Sequence, residues 1–325
     1  MKLPKIRELN ADSSGLGFFL CCQKELRPGR NGEFLALVLQ DVSGRIAAKV
    51  FDDVDRLKGE FEAGEFVKVK GRGNLYNGRL QLIVENIRRV NPEQDRAAGF
   101  KEEDCIQSSV RPADEMWAEL EALIAGVGDP FIRQLLEVVA RQQETKLRLW
   151  PAAQVVHHAY RGGFLEHVLK IAQVAVALSE AYGAERDLAV AGALLHDIGK
   201  LQELDHDLTT NYSRDGYLVG HIALGAIMVR DAAQQIDNFP PQLLTEIEHV
   251  VVSHHGSKEF GSPVEPMTVE AFILAMADDL DAKINQVRQA VEDDTSEAEF
   301  TAYHGRLGRV LWKGRKKGSR EGGKE

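Results

Sequence analysis

The chain has 325 residues, enough for two domains, and its 28% charged and 44% hydrophobic content is that of an ordinary globular protein. No apolar run approaches the ~20 residues needed to cross a bilayer, and the N-terminus MKLPKIRELNADSS lacks the apolar core of a secretory signal, so no membrane role is expected. Net charge is −10 but uneven: residues 1–95 balance at +2, 96–305 at −18 and 306–325 at +6, so any nucleic-acid footprint must be local or rely on bound cations.

Residues 1–95 read as β-structure. Phe18 to Leu26 is an apolar-rich run. Glu33–Asp41 and Arg45–Phe51 flank Ser43-Gly44, a hairpin signal. Asp53–Ala63 has the pattern of a short amphipathic helix closed by Gly64. Phe66–Gly71 and Arg79–Ile87 flank Tyr76-Asn77-Gly78, and Asn-Gly is the strongest short hairpin turn. Three strands, a helix and two strands suit an OB-fold barrel. Such barrels bind single strands through aromatic platforms and a basic groove. Phe18, Phe34 and Tyr76 with Lys49, Lys68, Lys70 and Arg72 are the candidates here, with Phe19 and Phe51 beside them. The three cysteines, Cys21, Cys22 and Cys105, show no CxxC spacing, so a reduced cytoplasmic protein without disulfides is expected.

Residues 96–111 continue a polar, aperiodic stretch from residue 91 and read as a linker. From Pro112 to residue 312 the pattern is helical: Trp117, Leu120 and Ile124 share one face, and Phe131, Leu135 and Val139 follow Pro130. Residues 313–325 (KGRKKGSREGGKE) have the composition of a disordered basic tail. The expected fold is thus α+β and multidomain, a barrel followed by an all-α domain.

The histidines carry the sharpest signal. Nine of the ten fall between His157 and His255. His167 shares a helix face with Ile171, Val174 and Leu178. His196-Asp197 closes the apolar helix LAVAGALLHDIGK, where an ionised aspartate is costly unless paired or bound to metal. His221 begins another apolar helix. His254 and His255 adjoin at a helix end and diverge by about 100°. In the last helix Val269, Ile273, Met276, Leu280, Ile284 and Val287 form one apolar stripe. Asp278 lies away from it, among Ala271, Leu274, Ala275 and Ala282, whereas Asp279 and Asp281 fall at the edges. Neutral imidazole and carboxylate are the usual donors for divalent metals.

This ordered set resembles the HD-domain metal phosphohydrolases, an all-α fold. The resemblance implies that His167, His196, Asp197 and Asp278 hold one ion. It also implies that His221, His254 and His255 hold a second, with Asp197 bridging. HHAYRGGFLEHV (157–168), ALLHDIGKL (193–201), GHIALG (220–225), VVSHHGSKEFGSPVEP (251–266) and ADDLDAK (277–283) narrow the match. They resemble the YhaM-type 3′→5′ exoribonucleases, which join an N-terminal OB-fold to a C-terminal HD domain. One departure is Asp279, where that family tends to have Asn.

The resemblance implies hydrolysis of the 3′-terminal phosphodiester of single-stranded RNA, with single-stranded DNA as a further substrate. Mn²⁺ is the expected ion, ahead of Co²⁺, Mg²⁺ or Fe²⁺. Lys200 is a candidate to neutralise charge on the phosphoryl oxygens. His157 and His158 are candidates for substrate contact or leaving-group protonation. The nearest alternative is an HD hydrolase of nucleotides or cyclic dinucleotides with the barrel as sensor. A di-iron oxygenase and a single-strand-binding regulator with a structural metal are the others. The role of His249 and self-association into a homo-oligomer are left open by the sequence.

Overall fold

A computed structural model describes residues 2–29, 32–152, 160–206, 210–294, 296 and 298–314. The N-terminal part is a closed five-stranded barrel. Its strands are β1 (Ser14–Gly29), β2 (Gly32–Asp41), β3 (Gly44–Val50), β4 (Phe66–Tyr76) and β5 (Arg79–Arg89), in the order β1-β2-β3-β5-β4. β3 runs parallel to β5, and β1 closes the ring on β4. Side chains alternate: Val67 and Val69 point into the core, whereas Lys68, Lys70 and Arg72 point out. The β4–β5 hairpin turns at Asn77 and Gly78 with φ of 49° and 74°, the left-handed pair that a two-residue hairpin requires.

Two expectations need correction. The helix expected over 53–63 shrinks to α1, Val54–Leu57. Gly59 follows it in open space, and the chain turns there so that Phe61 joins Leu57 inside the barrel. The expected linker also packs. A short α2 (Pro92–Asp95) is capped by Asn91, and Phe100 and Cys105 are buried with Leu20 and Val90. Asp95 is buried against Arg88 (2.8 Å) and Lys68 (2.9 Å). An extended stretch that looks aperiodic can still cover a barrel wall, because a few large anchors suffice.

The rest is helical: α3 (Ala113–Ala125), α4 (Pro130–Leu149), α5 (Gly163–Tyr182), α6 (Arg186–Leu195) and α7 (Lys200–Glu203). A small ribbon of β6 (Leu204–His206) and β7 (Thr210–Tyr212) follows, then α8 (Arg214–Leu218), α9 (His221–Ala233), α10 (Pro241–Ser253) and α11 (Val269–Asp293). One core, including Trp117, Leu135, Phe164, Val190 and Val251, holds α3–α6, α9 and α10 together. α5, α6, α10 and α11 share a second cluster around Ile171, Ala193, Val250 and Leu274. No helix among the described residues is long and apolar enough to cross a membrane. Lys313, the first residue of the expected tail, is not loose: its ammonium binds Asp294 (2.7 Å) and the Ser296 carbonyl (2.5 Å). Residues 315–325 lie outside the described residues.

Candidate metal centre

Seven side chains meet where α5, the end of α6, the start of α9, the end of α10 and the middle of α11 converge. His167 comes from the first turns of α5, and His196-Asp197 from the turn after α6. His167 Nε2 lies 3.3 Å from His196 Nε2, 3.4 Å from Asp278 Oδ1 and 3.6 Å from Asp197 Oδ2. His196 Nε2 lies 3.4 Å from the same Asp197 oxygen. On the other side, Asp197 Oδ1 is 3.6 Å from His221 Nε2 and 3.5 Å from His254 Nε2. His221, His254 and His255 form a second donor group with ligand atoms within 4.8 Å of one another. Asp197 therefore offers one oxygen to each group.

The imidazoles are held in one orientation. Nδ1 of His196, His254 and His255 faces the carbonyls of Ala193 (3.0 Å), Val251 (2.7 Å) and Phe260 (2.8 Å). Nδ1 of His167 faces Asp281 (3.3 Å), and that of His221 faces Glu203 (3.0 Å). Each such acceptor takes the Nδ1 proton and turns Nε2 inward, the arrangement of metal-ligating histidine. Asp197 Oδ1, His221 Nε2 and His254 Nε2 are buried without a hydrogen-bond partner. Orphaned buried acceptors are costly, and a divalent cation is the group that satisfies all three. The residues present thus fit two ions: His167, His196, Asp197 and Asp278 for one, and Asp197, His221, His254 and His255 for the other.

The electrostatics agree. Burial disfavours the carboxylate of Asp197, but Lys200 and the imidazoles overcome it and hold its pKa well below the usual range. Asp278 is likewise depressed: burial opposes the charge, and hydrogen bonding to His167 wins. Burial opposes protonation of His167 too, yet its bonds to Asp197, Asp278 and Asp281 raise its pKa well above the ordinary imidazole value. Burial pushes His254 down to about 4. His167, Asp197 and Asp278 are therefore held charged together, whereas His254 is held neutral.

Gly199 makes the second group possible. A side chain there would collide with the His221 carbonyl oxygen. Its absence lets the start of α9 sit on the His196-Asp197 turn. Glu203 then accepts from both the His221 backbone N–H (2.9 Å) and Nδ1 (3.0 Å). Glu203 is not among the residues expected from the sequence, where its signal is only a carboxylate flanked by Leu201 and Leu204. Asp281, read as an edge residue, positions His167, whereas exposed Asp279 pairs with Lys283. Lys200 Nζ rests on Asp197 Oδ2 at 2.6 Å. His249 Nε2 accepts from the Met267 backbone N–H (2.9 Å) and so ties down the approach to α11. His157 and His158 lie outside the described residues.

The barrel candidates divide between two faces. Phe18 packs on Phe100 (5.4 Å between centroids), and Lys68 is engaged with buried Asp95, so the folded-back segment takes both from the expected platform. Phe19 is a core residue. Lys70 pairs with Glu85 at 2.9 Å. On another face, the rings of Phe34 and Phe51 lie 5.4 Å apart. Lys49 sits 5.8 Å from the Phe34 centroid and 5.0 Å from that of Tyr76. Lys49, Ile83 and Arg72 occupy one row across β3, β5 and β4. Tyr76 and Phe51 are 58% and 51% exposed, which leaves ring surface free for a base.

A closed five-stranded barrel followed by a helical domain with a His/Asp pair at its centre defines an OB-fold protein joined to an HD-type metal hydrolase. Residues 164–283 match the HD domain, and residues 23–90 match an OB-fold nucleic acid binding domain. The "3'-5' exoribonuclease YhaM" of Bacillus subtilis is 34% identical over 264 residues, 81% of this chain and 82% of that protein. Those of Bacillus licheniformis and Bacillus pumilus match to the same extent. The chain belongs to the YhaM 3′-5′ exoribonuclease family.

Proposed function

We propose that this chain is a metal-dependent 3′→5′ exoribonuclease that shortens single-stranded RNA to nucleoside 5′-monophosphates. The observation that carries the reading is the split of Asp197, one oxygen toward each of two histidine groups, in a chain 34% identical to a protein named as a 3′-5′ exoribonuclease. Divalent ions held there supply positive charge for a phosphodiester and lower the pKa of water toward neutrality. The chain's own part is placement. Asp197 fixes the spacing of the two groups, and Lys200 steadies that carboxylate while bringing a cation to the same spot. Glu203 and Asp281 set the rings of His221 and His167. Phe34, Lys49, Phe51, Arg72 and Tyr76 form the track for the strand behind the cleaved end. His157 and His158 remain our candidates for substrate contact. Mn²⁺ is the ion we assign, and the cytoplasm the compartment.

The test is 5′-labelled single-stranded RNA incubated with Mn²⁺, with single-stranded DNA beside it. Stepwise shortening, release of 5′-monophosphates and stalling at stable stems are expected. Early internal fragments from a circular RNA would show an endonuclease and overturn the polarity.

A further inference from the structure

Helix α11 turns its smaller side chains inward. Ala271, Leu274, Ala275 and Ala277 are buried, and the helix packs through that side on α5, α6 and α10. Ile273 is buried as well, and the remaining large apolar residues face out. Val269, Phe272, Met276, Leu280, Ile284 and Val287 are 36–56% exposed. At 100° per residue all but Phe272 fall within about 40° of one line, and Phe272 lies beside it. The seam is roughly 27 Å long at 1.5 Å per residue. Single exposed apolar residues need no explanation; a continuous seam of them does.

The surroundings decide what covers it. Nucleic acid or anionic lipid would need cations along the seam, which has none, in a region whose balance is −18. Residues 315–325 contain no apolar side chain and cannot fill it. One shoulder of the seam carries Asp279 and Lys283, both exposed and 2.5 Å apart. A second copy laid antiparallel, with the axis near Leu280, sets each Asp279 beside the other chain's Lys283. It also sets each Met276 opposite the other chain's Ile284. The surface is therefore complementary to itself in charge and in its apolar pairing, as a two-fold contact requires. Asp278 lies about 160° around the helix from Leu280, so a partner on the seam leaves the metal centre open.

We infer that the exposed seam of α11 is the interface of an antiparallel, two-fold homodimer of this chain. Sedimentation equilibrium of the full chain reads the mass directly, and twice the chain mass is expected. Ile284→Glu should raise the dissociation constant by about a hundredfold or more, with circular dichroism showing that the helices persist. Lys283→Asp should weaken the dimer, and Asp279→Lys with Lys283→Asp should restore it. Leu280→Cys should cross-link to itself under mild oxidation, beyond the background that half-buried Cys22 gives in the parent chain; Cys21 and Cys105 are buried. A monomer at every concentration overturns the inference, as does a dimer indifferent to Ile284→Glu. Absence of the cross-link overturns the antiparallel register. These readouts are masses, so they stand apart from whether the chain degrades RNA.

Discussion

The barrel and the helical domain treat buried charge in opposite ways. In the barrel, Asp95 is enclosed but fully answered by Arg88, Lys68 and the Asn91 backbone N–H. In the helical domain, buried Asp197 Oδ1, His221 Nε2 and His254 Nε2 have no hydrogen-bond partner. The first arrangement is complete without a ligand and serves the fold. The second is incomplete by design and serves chemistry. A buried polar cluster thus announces function by what it leaves unsatisfied rather than by how many charges it holds.

Five substitutions sharpen or break that contrast. The largest effect belongs to the shared carboxylate. Asp197→Ala should lower RNA hydrolysis by about 10⁴-fold or more and reduce bound metal, with the helical circular dichroism retained. Full activity in this variant would remove the site. Next is Glu203→Gln, which loosens the hold on His221. Metal affinity, read by titration, should fall by about 10–100-fold; an unchanged value would make Glu203 a purely structural group.

The barrel's answer to charge should appear in stability and not in catalysis. Asp95→Asn should cost about 1–3 kcal/mol in urea unfolding and leave hydrolysis of a small phosphodiester untouched. Hydrogen bonding to Arg88 comes first among the causes that hold the Asp95 pKa below the usual carboxylate range. A carboxyl depressed on folding stabilises above its unfolded pKa, so this contribution should fade as pH falls below about 4. The pH dependence should vanish in Asp95→Asn; its persistence would assign the acid transition elsewhere. The smallest effect is expected on the outer face. Tyr76→Ala should weaken binding of long single strands by about 1–2 kcal/mol. Lys49→Ala should lower the salt slope by about one. Equal affinity in both variants would move the RNA track off this face.

Much of this was legible in the sequence, for different reasons in the two regions. The barrel's turns are local chemistry: Asn77-Gly78 needs no tertiary information. The inward placement of His167, His196 and Asp278 follows from helix periodicity, which the residue string contains. What escaped depends on neighbours distant in sequence. Phe100 and Cys105 look like linker residues until the barrel wall they cover is present. Phe18 and Lys68 look like a binding platform until that same segment takes them. Glu203 gains its meaning only when Gly199 lets His221 come down beside it. The apolar stripe of α11 was plain, but all of it except Ile273 faces outward, because the helix packs through Ala271, Leu274, Ala275 and Ala277 on the other side.

The five restrained imidazoles have a consequence for the life of the protein. With each Nδ1 engaged, the rings cannot turn away to relieve the crowding of their Nε2 atoms. Any ion that these rings and Asp197 hold then acts as a folding ligand. At a hundred times its dissociation constant, such a ligand adds about 2.7 kcal/mol to the folded state. A chain starved of metal would therefore lose resistance to proteolysis along with activity. Metal supply would set how long the protein survives as well as how fast it works.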